Sequence, residues 1–250
     1  MNETTAITVW ITFAFTAAGF VKGVVGMGLP TVAIGLLGIV MAPVSAVAVL
    51  VIPSLVTNVW QLLAGPKFAT LARRVASMLL AVCIGTFMGI GVLTGPSAST
   101  AGAALGAVLI AYGLYGLFGR PFTVARRIEP WLSPLIGLVT GLIAGATGIF
   151  AVPMVPYLNS LGLAKDDLIQ ALGLSFTAST IALAAALAFK GQYQTPMIWN
   201  SLLAVLPALA GMYIGQLVRD KLRPEVFRRW FFIGLTALGA YMLAHAVWPK

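Results

Sequence analysis

The chain has 250 residues, of which 60% are hydrophobic and 8% charged, and its mean hydropathy is +1.01. Soluble domains carry about 25% charged residues, and no water-soluble fold covers this much apolar surface, so the composition defines a polytopic helical membrane protein. The formal net charge of +9 does not mark a nucleic-acid binder, because the basic residues are spread over short connections rather than gathered on one patch.

Ten apolar stretches follow in chain order, near residues 5–26, 30–41, 43–64, 75–94, 98–118, 131–148, 152–163, 168–189, 197–217 and 228–248. Residues Met1 to Thr5 carry no basic side chain, so the first stretch is expected to stay in the membrane rather than be cleaved. Most stretches hold about 20 residues, enough to cross a hydrocarbon layer at ~1.5 Å rise per residue. Stretches 30–41 and 152–163 reach only about 18 Å as helix. Trp10, Trp60, Trp131, Trp199 and Trp248 fall at or near stretch ends, as interfacial anchors do. Glu129 and the Asp166–Asp167 pair precede helices, where negative charge complements the helix dipole. Cys83, inside an apolar run, reads as a core thiol.

Twelve of the fifteen Lys and Arg lie in four connections: Lys67, Arg73 and Arg74; Arg120, Arg126 and Arg127; Lys165; and Arg219 to Arg229. Basic loops stay in the cytoplasm. The uncharged turn at Gly95, Pro96 and Ser97 is then outside, as is the 190–196 connection, with Lys190 against the rule. Stretches 5–41 begin and end outside, and 131–163 begin and end inside. Each half therefore holds a broken or re-entrant helix pair followed by three crossings. The expected fold is all-α and integral to the membrane, with two inverted-topology repeats, 1–119 and 131–250, joined by a cytoplasmic connection at 120–130. Fusing each short piece with its neighbour gives a rival count of eight spans.

The repeat is visible in the residues. Gly19 to Pro30 (GFVKGVVGMGLP) is echoed 122 positions later by Gly141 to Pro153 (GLIAGATGIFAVP). Gly19, Gly23 and Gly26 match Gly141, Gly145 and Gly148, and Pro30 and Pro153 close the two segments. A glycine-interrupted apolar segment repeated in both halves points to a transport site. Glycines let helices pack closely or leave helical geometry. A helix that starts within the membrane aims unpaired N–H groups and its positive dipole end at an anion. The expected binding set at the breaks is Gly23, Gly26, Met27, Gly28 and Pro30 in the first half. In the second it is Gly145, Gly148, Ile149, Phe150 and Pro153. The competing reading makes the glycines packing contacts and the prolines kinks.

Lys22 is the one charge well inside an apolar run, and a charge there is a functional candidate by default. Ala144 stands at the matching place, so a site using Lys22 is asymmetric. Snorkelling to an interface is the alternative. Further donors are expected from Asn58 and Gln61, which share a helical face with Ser54, and from Ser175 and Ser179. Hydrogen bonding between helices is the competing role.

All six acidic residues lie at ends or connections, which disfavours a cation transporter. His245 is the only histidine, and no ligand-rich spacing marks a metal site. No catalytic constellation, metal or cofactor is read, so the chain is not expected to be an enzyme.

The segments GFVKGVVGMGLP and GATGIFAVPMVPYLNSLGL, with VIPSLVTNVWQ and IQALGLSFTAS, resemble the signature regions of the sulfite exporter TauE/SafE family of membrane transporters. The likeness covers nearly the whole chain. Where many members carry a run of glycines before the second proline, this chain has Phe150, Ala151 and Val152. The resemblance implies export of sulfite, another sulfur oxyanion or an organic anion across a bacterial inner membrane. The combined expectation is an anion transporter working by alternating access, multi-pass, with both termini outside. Its partners are a small anionic substrate and the lipid bilayer. The oligomeric state, a homodimer included, is left open. An anion channel of the same fold, and a non-transporting receptor or assembly partner docking through Arg219 to Arg229, are the alternatives.

Overall fold

The computed structural model describes residues 3–95, 98–120, 122–192, 195–219, 221 and 223–247. Pro96 and Ser97 of the expected outer turn, Tyr193 and Gln194 of the 190–196 connection, Asp220 and Trp248 lie outside the described residues. Among the described residues the chain is helical, with no strand. The helices are α1 (Glu3–Val25), α2 (Leu29–Leu37), α3 (Pro43–Leu62), α4 (Phe68–Leu93), α5 (Ala98–Phe118) and α6 (Glu129–Thr147). They continue with α7 (Met154–Ser160), α8 (Lys165–Phe189), α9 (Thr195–Leu203), α10 (Val205–Arg219) and α11 (Pro224–Val247). Seven stretches among the described residues are long and apolar enough to cross a membrane: Thr5–Val25, Pro43–Leu62, Phe68–Leu93, Ser99–Phe118, Glu129–Thr147, Lys165–Phe189 and Met197–Arg219.

Local sequence explains most helix limits. Pro30, Pro43 and Pro130 stand in the first turns of α2, α3 and α6, where no N–H is missed. The stretch expected as one span over 197–217 is divided into α9 and α10. Pro207 cannot bond the carbonyl of Leu203, four residues back, and its ring crowds that oxygen. Helix α4 begins at Phe68, seven residues before the expected apolar start. Arg73 and Arg74 lie on its first turns, which hydropathy alone does not recognise as helix.

The chain forms two compact units that interleave its halves. One comprises Met1–Pro53, Gly95–Gly119 and Gln192–Lys250; the other comprises Ser54–Thr94 and Arg120–Gly191. Helix α3 passes from the first into the second after Pro53.

In the first unit α1 and α10 run parallel in tight contact. Gly19 and Gly23 lie against the backbone of Ala208–Gln216, and Gly211 and Gly215 lie against Thr16 and Phe20. A Cβ at any of these glycines lands on a backbone atom, so the small-xxx-small spacing is what permits the approach. Helices α5 and α11 pack antiparallel, with Gly106 on Gly239 and Gly113 on Thr236. Pro53 leaves Val49 O without its helical donor, and Ser201 Oγ of α9 donates to it at 2.7 Å. The same hydroxyl accepts from Ile52 N at 3.2 Å. A neighbouring hydroxyl that re-satisfies a proline-freed carbonyl is what an apolar surrounding requires.

In the second unit α4 and α6 form the corresponding parallel pair. Gly137, Gly141 and Gly145 lie against Met78, Val82 and Thr86, and Gly85 and Gly89 lie against Leu138 and Leu142. Helix α8 packs on the latter part of α3, where Gly173 meets the backbone of Gln61 and Leu62. Gln170, 1% exposed, locks the α3–α4 turn. Its Oε1 accepts from Lys67 N at 2.9 Å. Its Nε2 donates to Leu62 O at 3.0 Å and also to Gly65 O. Lys67 Nζ adds an ion pair to Asp167 Oδ2 at 2.9 Å.

Arg74 makes the stronger ion pair. Its Nε and Nη2 donate to both carboxylate oxygens of Glu129, at 2.9 and 2.7 Å, and Nη2 also donates to Leu161 O at 3.0 Å. Glu129 stands in the first turn of α6, as its dipole role requires, and its pair with Arg74 fixes α4 to α6, while Arg74 itself also holds the end of α7. Tyr157 of α7 and Ser133 of α6 share a 2.5 Å hydrogen bond nearby in sequence.

Candidate functional site

The first break lies within the first unit. Helix α1 ends at Val25, with Lys22 in its last turn. Gly26 adopts φ 83° and donates its N–H to Lys22 O at 2.7 Å, which closes the helix in the left-handed manner glycine permits. Gly28 adopts φ 101° as the N-cap of α2 and accepts from Val32 N at 3.0 Å. Gly28 is the N-cap of this terminus and provides no side-chain cap to its amides. A Cβ at Gly28 would approach Phe231 and Val21 at 3.2 Å, whereas the space beside Gly26 is open.

The surroundings of α2 are apolar and close. Leu29, Pro30 and Thr31 are buried. Tyr112, 1% exposed, donates its hydroxyl to Met27 Sδ at 3.5 Å and lies edge-on to Phe232. At the far end of α2, Trp10 Nε1 donates to Leu36 O at 2.9 Å, so Trp10 ties α1 to α2 in addition to its expected place near a span end. Thr31 Oγ1, in the first turn, is buried without a hydrogen-bond partner. Lys22 is 4% exposed.

The second break lies within the second unit and differs in build. Helix α6 ends at Thr147, and Gly148 caps it at φ 78° with its N–H on Ala144 O at 2.7 Å. Thr147 Oγ1 donates to Ile143 O and accepts from Ile149 N at 3.2 Å. Ile149, Phe150 and Ala151 then run buried and non-helical to the cis peptide before Pro153. Phe150 lies against Phe176 of α8 with ring centroids 5.3 Å apart. Helix α7 follows with only seven residues.

The structure sorts the expected site residues into roles. Gly23 and Gly145 are helix-packing positions, each with partner backbone over its Cα. Gly26, Gly28 and Gly148 are the break positions, each at positive φ. Asn58 Nδ2 donates to Ser54 Oγ at 3.0 Å and to Thr180 Oγ1 at 3.3 Å, and the two hydroxyls lie 3.2 Å apart. This buried cluster joins α3 to α8. Gln61 lies 7% exposed on the same helix. Ser179 Oγ donates to Ser175 O at 2.8 Å. Ser175 Oγ itself is buried without a partner. Thr140 of α6 carries a third such hydroxyl.

Sequence reasoning missed Thr31 and Tyr112. Thr31 follows Pro30 directly, so its place in a first helical turn was available from the proline. Tyr112 acts through packing that no spacing reveals, and the pairing of Thr180 with Asn58 is equally unmarked. Among the described residues no His, Cys, Asp and Glu cluster suits a metal. His245 stacks on Tyr241 near the end of α11, and Cys83 is half-buried in α4.

Apolar helices of spanning length, two interruptions at glycine and buried polar side chains among them fit an integral membrane protein. The chain belongs to the sulfite exporter TauE/SafE family, whose profile matches residues 11–242. It is similar to the probable sulfite/organosulfonate exporter TauE of Cupriavidus necator, with 25% identity over 239 residues, covering 94% of this chain and 91% of that protein. No solved structure gives a significant match. Family membership makes the chain a membrane transporter.

Proposed function

We propose that the chain exports sulfite or a related sulfur oxyanion or organosulfonate across a bacterial inner membrane, by alternating access between two inverted repeats. The observation that carries this reading is the start of α2. A nine-residue helix begins among buried apolar residues, and its first-turn amides receive no side-chain cap. Thr31 Oγ1 is buried there without a partner. Such a terminus favours negative charge through its N–H groups and dipole. Buried polar groups are otherwise almost always bonded, so the Thr31 hydroxyl suits a ligand that comes and goes.

Gly26, Met27, Gly28 and Pro30 give the terminus its shape, and Lys22 at the end of α1 supplies positive charge. In the second unit, Gly148, Ile149, Phe150 and Pro153 form the equivalent break, and Ser175 carries a buried hydroxyl. Ser179 stands on α8 with Ser175, Gln61 stands on α3 with Asn58, and Asn58 is joined to α8 through Thr180. Gly23 and Gly145 serve by allowing close helix approach. Phe150 narrows the second break where other members carry glycine, so this chain is proposed to take a compact anion.

The helix pairs support the inverted plan. Helix α1 lies parallel to α10, and α6 lies parallel to α4. Each broken helix thus leans on a helix from the opposite half, as an exchange of equivalent elements demands. Positive-inside placement gives both members of each pair the same direction through the bilayer.

A thermal-shift screen of the purified protein tests the ligand class. Sulfite or a small sulfonate is expected to raise the apparent melting temperature by several degrees at saturating concentration. Chloride and carboxylates are expected to do less. Lys22→Ala should remove the increment. No response to any sulfur oxyanion argues against the reading.

A further inference from the structure

The first unit contains a recess of about 380 Å³ where the end of α5 meets the start of α11. Gly116 and Phe118 form one side, and Glu225, Arg228, Arg229 and Ile233 the other. We propose that this recess binds the headgroup of an anionic phospholipid, with its acyl chains lying along α5 and α11.

Three observations converge. The first is charge. Two arginines and one glutamate give the lining a formal charge of +1, which matches a single phosphodiester. Glu225 stands three and four residues before the arginines, where an intrahelical pair would satisfy them. Yet neither Arg228 nor Arg229 forms a salt bridge among the described residues. Guanidinium groups bind phosphate oxygens in a fork that lysine does not offer.

The second observation is the apolar flank. Phe118 is 77% exposed and Trp230 68% exposed, with Val226 and Ile233 also open. Exposed aromatic side chains at a helix end sit at headgroup level in a bilayer. Exposed apolar and aromatic side chains thus flank the charged groups of the recess. The third is position. In sequence, Arg120 follows Phe118 by two residues, and Arg219, Lys221 and Arg223 precede Glu225 by two to six. Such basic clusters beside spans are attracted to anionic leaflets, and basic pockets between helices on that side take lipid headgroups. The volume falls in the range of ordinary small-ligand sites.

The full-length protein in neutral detergent provides the test, read by native mass spectrometry during titration with phosphatidylglycerol. Wild type is expected to retain phosphatidylglycerol and to release phosphatidylcholine. The R228Q/R229Q variant should bind phosphatidylglycerol on the order of 30-fold more weakly, about fivefold per arginine. The R126Q/R127Q variant, altered in a different basic connection, should bind like wild type. Glu225→Gln should bind more tightly, and it decides the matter alone if the double variant fails to fold. Equal retention by wild type and R228Q/R229Q overturns the proposal, as does unchanged or weaker binding by Glu225→Gln. Displacement of the lipid by millimolar inorganic phosphate would assign the recess to free anions and likewise overturn it. None of these readouts depends on which substrate is exported.

Discussion

Replacing Thr31 with valine separates a ligand-binding hydroxyl from a structural one. The change is close to isosteric and removes only the hydroxyl of a fully buried side chain. Thr31 Oγ1 has no hydrogen-bond partner among the described residues. Its burial therefore costs about 1–3 kcal/mol that no internal hydrogen bond returns. Removing that cost should stabilise the resting protein by the same amount. For a chain of this length that is roughly 2–4 °C per kcal/mol, so the apparent melting temperature should rise by about 2–12 °C. Export should fall, because the first turn of α2 loses a donor to the anion. Scanning fluorimetry in detergent and sulfite efflux from proteoliposomes give the two readouts. The signature is higher stability with lower flux. A melting temperature that falls would show that the hydroxyl is bonded after all. A rise with unchanged flux would remove Thr31 from the transport site.

Other expectations test the frame. Gly89→Ala should destabilise by about 2 kcal/mol or more, since its Cβ lands on Leu142 backbone atoms. Gly91→Ala, two residues on in the same helix, meets nothing within 4 Å and should gain up to about 1 kcal/mol. Thermal denaturation of the two variants checks this opposition. Glu129→Gln should cost about 3 kcal/mol by stranding Arg74, and the Arg74→Gln/Glu129→Gln double variant should lose less than the sum of the single changes. In the orientation inferred from charge, Cys introduced at Arg126 should react only with permeant thiol reagents in intact cells. Cys at Lys190 should react with impermeant ones, and the reverse pattern would invert the topology.

The all-helical build and most of its long apolar helices were legible because apolar length is a strong signal. The breaks after Val25 and Thr147 were marked by Gly26 and Gly148, and Pro30 marked the start of α2. The split between α9 and α10 was also written in the chain, at Pro207, but a run of unbroken hydropathy conceals a local kink. The glycine motif hid two jobs under one spacing. Gly19, Gly23, Gly141 and Gly145 are packing surfaces, while Gly26, Gly28 and Gly148 turn the backbone. Periodicity cannot separate these roles, because both need a residue without Cβ. Asn58 reads as a ligand donor because a buried amide demands several partners. Its Nδ2 donates to Ser54 and to Thr180, a partner 122 positions away that only folding brings close. The interleaving of the two compact units was equally invisible, since helix pairing between halves leaves no local trace.

The central claim is that the interrupted helix at Gly26–Pro30 carries an oxyanion across the membrane. Sulfite efflux from proteoliposomes holding the purified protein tests it most directly, with Lys22→Ala and Thr31→Val measured alongside. Saturable sulfite efflux, clearly reduced in both variants while the proteins remain folded, is the predicted result. Efflux no faster than from protein-free liposomes, for sulfite and small sulfonates alike, would contradict the account.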